Sequence, residues 1–420
     1  MTVGTGINFD SDEAGFNSLA EKLYSTIHKI HPNFIVFFAS NKSKYTIDCI
    51  GDLFKRDNDE FIPDEDYQIV PLEAIDDFNT CFETFETEIV NFDFVYDDDF
   101  SIIMDYTSGT KTMSAAMACC GMFYNKDLIC VGGDRTTGEV FPGTEIINYQ
   151  NLYKIYDRFA FMRIRSNFNA NRFMQCIDIL KHVVDFSVGK EHYLSLCRAY
   201  YYWDNMDFEN AYKYFLKVDM NSLALFDIKD KLKQNLRALG NIVNSRSQNL
   251  KNCYILASLI NNSKRRAEEY KYDDAIARLY RSFELIAQVR LGKYDIDSSD
   301  VDVGILKKNN VSDEFIETLE KIREDGKIRI GLSRDFLLLN ELDDDLGKYY
   351  IENEKRIKSL TLKRNNSILA HGLDSSSSND FDEFLEVVVS LALKLDKDMN
   401  KFLRETEFAK YDLKLELNRA

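Results

Sequence analysis

Arg364-Asn365-Asn366-Ser367-Ile368-Leu369-Ala370-His371 sets an arginine, an amide and a histidine within eight residues. The chain has five histidines, His28, His31, His182, His192 and His371, and His371 alone has an arginine five to seven residues before it. An imidazole can move protons near neutral pH. A guanidinium stays cationic and can hold phosphate oxygens. Together they can do acid–base work on a phosphodiester. The spacing predicts that Arg364 and His371 share about two turns of helix. Seven helical residues return to nearly the same face about 10 Å along the axis, so one chain's pair would not easily reach a single phosphate. Two copies crossing at a twofold axis would. Taken alone, the stretch reads equally well as an arginine capping a helix and a satisfied histidine.

The elements that must position these residues lie in a chain of 420 residues, long enough for two or three domains. No run of about eighteen apolar residues occurs, so no membrane span is expected. The first sixteen residues are acidic and lack an apolar core, which argues against a secretion signal. The eight cysteines form no Cys-x-x-Cys pair and show no zinc-like spacing with histidine, so they read as reduced thiols in a cytoplasmic protein, with no metal site. The net charge of -17 is unevenly spread. Residues 1–150 hold 27 acidic and 9 basic residues, whereas residues 151–420 hold 43 and 44. The run from Lys355 to Arg364 carries Lys355, Arg356, Lys358, Lys363 and Arg364 with no acid, which fits either a modest polyanion site or a solvated helix face.

Residues 1–150 read as alternating strands and helices. Short apolar runs at Phe34–Ser40, Tyr67–Val70, Ser101–Asp105 and Leu128–Val131 predict a mainly parallel, Rossmann-like α/β sheet covered on both faces. Such sheets bind ligands beyond the carboxyl ends of their strands. The first strand end leads into Ser40 and Asn41. A later one leads into Thr107-Ser108-Gly109-Thr110-Lys111-Thr112, followed by a helix of small residues, Met113 to Gly121. Gly109 permits a tight turn, and hydroxyls with free amides at a helix start can grip phosphate. A Walker A loop and a Gly-x-Gly-x-x-Gly fingerprint are both missing. A polar loop that merely caps a buried helix explains the same residues.

From residue 151 the pattern is all-α. All four prolines lie in the first 142 residues. Ala199–Asp204 and Asp207–Phe215 resemble one helix–turn–helix of a tetratricopeptide repeat, without a regular period, and their aromatic stripe reads as core. Asp274 to Leu291 has apolar residues at Ile276, Leu279, Tyr280, Phe283, Ile286 and Ala287, a 3.6-residue pattern. Residues 374–380 form a loop, and Phe381 to Leu403 is expected as one long helix.

The order of three features resembles the CARF–HEPN ancillary ribonucleases of type III CRISPR systems: the Thr107–Thr112 loop in an α/β domain, the Arg278–Glu284 helix, then Arg364-Asn365 with His371. The resemblance implies a CARF-like ligand-sensing domain in 1–150, a helical connecting region in 151–260 and a HEPN-like ribonuclease domain in 261–420. It implies that Ser40, Asn41, Thr107, Ser108, Gly109, Thr110 and Lys111 bind a cyclic tetra- or hexa-adenylate, an allosteric activator rather than a cofactor. It implies a homodimer in which Arg364, Asn365 and His371 of both copies line one cleft that cuts single-stranded RNA without a metal. The RNA 2′-hydroxyl would attack the adjacent phosphate, with His371 moving protons, Arg364 stabilising the charged transition state and Asn365 orienting its neighbours. Two alternatives stay open: a non-catalytic sensor that relays a nucleotide signal to a protein partner, and a CARF domain that also cleaves its own cyclic ligand.

Overall fold

The computed structural model describes residues 1–6, 11–95, 100–136, 139–140, 144–150, 153–183, 189–370 and 372–412. The chain forms two compact units, the first ending at Phe161 and the second beginning at Met162 apart from a short stretch at Val183.

The first unit runs β1 (Thr2–Val3), α1 (Asp12–Ile30), β2 (Ile35–Ala39), α2 (Lys44–Arg56), β3 (Tyr67–Pro71), α3 (Phe78–Val95), β4 (Ile103–Asp105), α4 (Lys111–Phe123), β5 (Asp127–Gly132), a small hairpin of β6 (Arg135–Thr136) and β7 (Glu139–Val140), and β8 (Ile146–Gln150). The expected strands are present. β1, β2 and β3 pair in parallel, β4 pairs in parallel with β5, and β8 runs antiparallel to β5. Alternate side chains of β2 explain its unbroken apolar run. Ile35, Phe37 and Ala39 join a core with Leu23, Ile27, Ile47 and Ile50 of α1 and α2, whereas Phe38 joins Phe85, Met104, Met113 and Cys120 on the side of α3 and α4. The small residues of α4 permit close packing: a Cβ on Gly121 would stand 3.2 Å from Leu128 and 3.3 Å from Met104.

β1 joins the two halves. Thr2 Oγ1 donates to Ser108 O at 2.5 Å, and Ser108 Oγ donates back to Thr2 O at 2.6 Å. Strand order therefore runs 3-2-1 on one side and 4-5-8 on the other, and it reverses between β1 and β4. In open α/β sheets that reversal opens the crevice where ligands bind.

The second unit is helical. It continues α5 (Tyr153–Asn169) into α6 (Phe173–Lys181), α7 (Lys190–Asp204), α8 (Phe208–Phe215), α9 (Lys229–Asn244), α10 (Gln248–Glu268), α11 (Tyr272–Leu291), α12 (Val303–Lys308), α13 (Asp313–Glu320), α14 (Leu332–Glu341), α15 (Asp345–Glu352), α16 (Glu354–Asn365), α17 (Ser378–Leu395) and α18 (Met399–Thr406). The aromatic stripe is core, as expected: Tyr200 and Trp203 are buried, and Tyr200 stacks on Phe408 with ring centroids 4.3 Å apart. A second core centres on Phe283 of α11, which meets Phe336 of α14 at 4.7 Å and Phe384 of α17 at 6.1 Å.

Two expectations fail. Residues 381–403 are not one helix. The backbone leaves α17 at Asp396, which is extended, and Asp398 N–H donates to Asp396 Oδ1 at 2.9 Å. That local side-chain bond competes with the helical ladder. Nor do Arg364 and His371 share a helix, because α16 ends at Asn365.

Candidate active site and ligand-binding end

Arg364 lies in the last turn of α16, next to its C-terminal residue Asn365. After Asn366 the chain folds back on itself. Ser367 N–H donates to Arg364 O at 3.1 Å, Ala370 N–H to Ser367 O at 2.9 Å, and Asp374 N–H to Asn366 O at 3.0 Å. Gly372 presses on Asn366 so closely that a Cβ there would overlap the Asn366 carbonyl. The stretch expected as two helical turns is thus a helix end plus a closed loop, so the argument from helical spacing for a shared site does not hold. His371 lies outside the described residues, between Ala370 and Gly372 of that loop.

Helix α11 forms the bed of the loop. Ser376 N–H donates to Asp273 Oδ1 at 3.0 Å, and the Arg364 guanidinium carbon sits 4.3 Å from the centre of the Tyr280 ring. Arg364 also donates to Asn365 Oδ1 at 3.1 Å. The basic run of α16 is less positive than its sequence: Arg356 pairs with Glu386 at 2.6 Å, Lys358 with Glu354 at 2.7 Å, and Lys363 with Asp380. The Lys363 and Ser377 contacts hold the Asp380 carboxyl down at about 2. Arg364 has no carboxylate partner among the described residues, which leaves its charge available. Arg278 and Arg281 serve the helix: Arg278 pairs with Asp274, and Arg281 with Glu284 at 3.3 Å.

Sequence reasoning missed Tyr280 and Asp335. Tyr280 was one more apolar position of α11, and Asp335 belonged to a helix without a motif. Asp335 is buried in the first turn of α14, and its Oδ1 has no hydrogen-bond partner among the described residues. Burial, reinforced by the charge of Glu284, pushes its carboxyl from 3.8 up to about 7. Between those values the unfolded chain is ionised while the folded one keeps the proton, so Asp335 makes stability fall as pH rises across that window. A shift of that size corresponds to roughly 4 kcal/mol. Asp335→Asn is expected to flatten the slope between pH 4 and 7 and to gain stability relative to the parent at pH 8. Denaturant unfolding at pH 5 and pH 8 checks this, and an unchanged slope would refute it.

In the first unit the structure gathers the strand-end residues around Gly4, directly after β1. Thr46 Oγ1 of α2 donates to Gly4 O at 2.9 Å, and Gly4 N–H donates to Ser108 Oγ at 3.3 Å. A Cβ on Gly4 would stand 2.9 Å from Gly109 N, so the β1 and β4 ends touch backbone to backbone. Gly109 itself has φ +95, which only glycine takes readily. Ser40 closes a turn with Ser43, its N–H donating to Ser43 Oγ at 2.8 Å, while Asn41 is exposed beside it. The loop hydroxyls serve the fold. Thr107 Oγ1 accepts from Val131 N–H at 2.9 Å and donates to Asp105, Ser108 Oγ bonds β1, and Thr110 Oγ1 donates to Ile75 O at 2.7 Å while capping α4. Lys111 is exposed at the first position of α4, where free amides also point outward. Asp105 is buried, and burial holds its carboxyl above the usual range against the opposing Thr107 bonds. The missed signal was Gly4-Thr5 after a strand too short to register as one.

No His/Cys/Asp/Glu cluster that could hold a metal occurs among the described residues. No helix there is long and apolar enough to cross a membrane.

Residues 156–245 match the family model of the Csm6 6H domain, and residues 244–394 match that of the Csm6 HEPN domain. Together they span more than half of the chain and include the Arg364 loop. The chain belongs to the Csm6 family. It is a CARF–HEPN ribonuclease of the type III CRISPR systems, and its enzymatic activity is that of a HEPN endoribonuclease. A solved structure of Csm6 from Enterococcus italicus, bound to cyclic hexa-2′-fluoro-hexa-dAMP, shares the fold with TM-score 0.63 and 14% identity, over 92% of this chain and 93% of that one. No curated protein matches the chain in sequence. The Csm6 HEPN match covers α16, which carries Arg364, and α11, which carries the Tyr280 ring beneath it.

Proposed function

We propose that this Csm6-family endoribonuclease is switched on by a cyclic oligoadenylate held at the β1–β4 end of its first unit, and that it cuts single-stranded RNA at a site built from Arg364, Asn365 and His371 of two copies. The observation that carries the reading is Arg364, a cation without a carboxylate partner among the described residues, held over the Tyr280 ring seven positions before His371 in the sequence. The three-part division into 1–150, 151–260 and 261–420 belongs to this proposal.

In the cutting step the RNA 2′-hydroxyl loses its proton and attacks the adjacent phosphorus, the bond to the 5′-oxygen breaks, and that oxygen takes up a proton. The products are a cyclic phosphate and a 5′-hydroxyl. His371 moves the protons, and the Arg364 fork stabilises the charge that builds on the phosphate oxygens. Neither role needs a metal. Asn365, exposed and bonded to Arg364, orients it. Pairing of two copies is supported by the apolar side chains that the loop itself exposes: Ile368, Leu369 and Leu373 are 64%, 52% and 89% exposed.

At the ligand end, the loop hydroxyls shape the crevice while backbone amides, Asn41 and Lys111 meet the phosphates. The net -18 of residues 1–150 opposes a polyanion at long range, and salt screens most of that repulsion. Lys42 is tied to Asp12 at 2.8 Å, so Lys44 and Lys111 supply the local charge. Eight unpaired cysteines fit work in the cytoplasm.

The test is cleavage of a labelled single-stranded RNA with no ring, with cyclic tetra-adenylate and with cyclic hexa-adenylate. One ring is expected to raise the rate by at least tenfold. Failure of both rings to do so would overturn ring activation.

A further inference from the structure

We propose that Tyr280 is the positioning residue of the RNA-cutting site, its ring face holding the Arg364 guanidinium ready for a phosphate. The inference rests on the reading that Arg364 belongs to that site.

Arg364 differs from its neighbours on α16. Arg356, Lys358 and Lys363 are each paired with a carboxylate. The Arg364 guanidinium instead sits over an aromatic ring, at 4.3 Å. The difference has chemical consequences. A carboxylate partner occupies the N–H fork and cancels the charge, so a phosphate would have to displace it. A ring face attracts the cation through its quadrupole, adds no formal charge and leaves N–H groups for an incoming oxyanion. The same contact restricts a long, rotamer-rich side chain before RNA arrives, which lowers the entropy lost in the transition state.

Tyr280 is suited to this role by its own support. It is half-buried on α11, one turn from Phe283, which is fixed between Phe336 of α14 and Phe384 of α17. Helix α11 also anchors the far side of the loop through Asp273 and Ser376. One rigid helix therefore fixes both ends of the segment that bears the candidate catalytic residues. Burial holds the Tyr280 phenol above its ordinary value, with Glu284 adding to this, so the ring stays neutral at working pH.

The experiment compares Tyr280→Leu, Tyr280→Phe and Arg364→Ala in the full-length protein. The readouts are RNA cleavage under saturating activator, thermal unfolding, and the side-chain NMR resonances of Arg364, assigned by their loss in Arg364→Lys. Tyr280→Leu is expected to lower kcat by about tenfold with KM changed by less than about threefold. Tyr280→Phe keeps the ring face and should stay within about twofold of the parent. The ring-current shift of the Arg364 resonances should persist in Tyr280→Phe and vanish in Tyr280→Leu. The proposal is overturned if Tyr280→Leu cuts RNA at the parental rate, if Tyr280→Phe is as impaired as Tyr280→Leu, or if the Arg364 resonances ignore the ring. Should Tyr280→Leu misfold, Tyr280→Phe and the parental Arg364 resonances still decide. If Arg364→Ala cuts normally, the site assignment itself fails. If Arg364→Ala is inactive and Tyr280→Leu is unaffected, only the role of Tyr280 falls.

Discussion

RNA cleavage by His371→Ala is expected to fall by about 10²- to 10⁴-fold under saturating cyclic oligoadenylate, the usual contribution of a positioned general acid–base. The loss should appear in kcat, because the proton transfers occur in the transition state. The molar mass by light scattering should match that of the parent, since the exposed apolar side chains on the loop, Leu369 and Leu373 among them, remain. Arg364→Ala should match the loss, and Arg364→Lys should recover part of it, because an ammonium keeps the charge without the planar fork. A His371→Ala protein within tenfold of the parent would remove that histidine from the chemistry. If pairs of chains share one cleft, mixing His371→Ala with excess Arg364→Ala would give mixed dimers, and these would show whether one intact copy of each group suffices.

The second large effect is expected at Gly372, which does no chemistry. An added Cβ would overlap the Asn366 carbonyl, and that oxygen already accepts the Asp374 N–H at 3.0 Å. Backbone cannot yield as a flexible side chain can, so Gly372→Ala must open the loop between Asn366 and Asp374. Displacing a reactive group by about 1 Å can cost a hundredfold in rate, and about that loss is expected here. The cores around Phe283 and Tyr200 do not involve the loop, so the unfolding midpoint should move by only a few degrees. Single-turnover cleavage and thermal unfolding on one preparation separate the two effects. Full activity in Gly372→Ala would show that the closed loop is not the working form.

How far the residues alone led differed between the two ends. The parallel strands of the first unit were legible because each is a short apolar run facing helices on both sides, Phe37 one way and Phe38 the other. The helical second unit was legible from the period of Ile276, Leu279, Phe283 and Ile286. β1 was not, because two residues carry no period, and with it went Gly4, the point where the strand ends meet. The Thr107–Thr112 loop was found, with a phosphate grip and a helix cap both open for its hydroxyls; three of them hold the loop to β1, β5 and the Ile75 backbone. A sequence names donors without saying which are already engaged.

At Arg364 the sequence determined which groups stand close together along the chain: one arginine, one amide and one histidine, within the residues that the Csm6 HEPN match later covered. It also determined the charge asymmetry between the two parts of the chain. Tertiary structure alone decided the rest. It ended α16 at Asn365, closed the chain back from Asp374 onto Asn366, and paired Arg356 and Lys363 with Glu386 and Asp380 of α17. It also set Arg364 over Tyr280, a residue 84 positions earlier in the chain. Spacing along a chain measures distance only while one regular element continues. Where an element stops, the turn, and the distant ring that receives the side chain, are set by packing that no local pattern records.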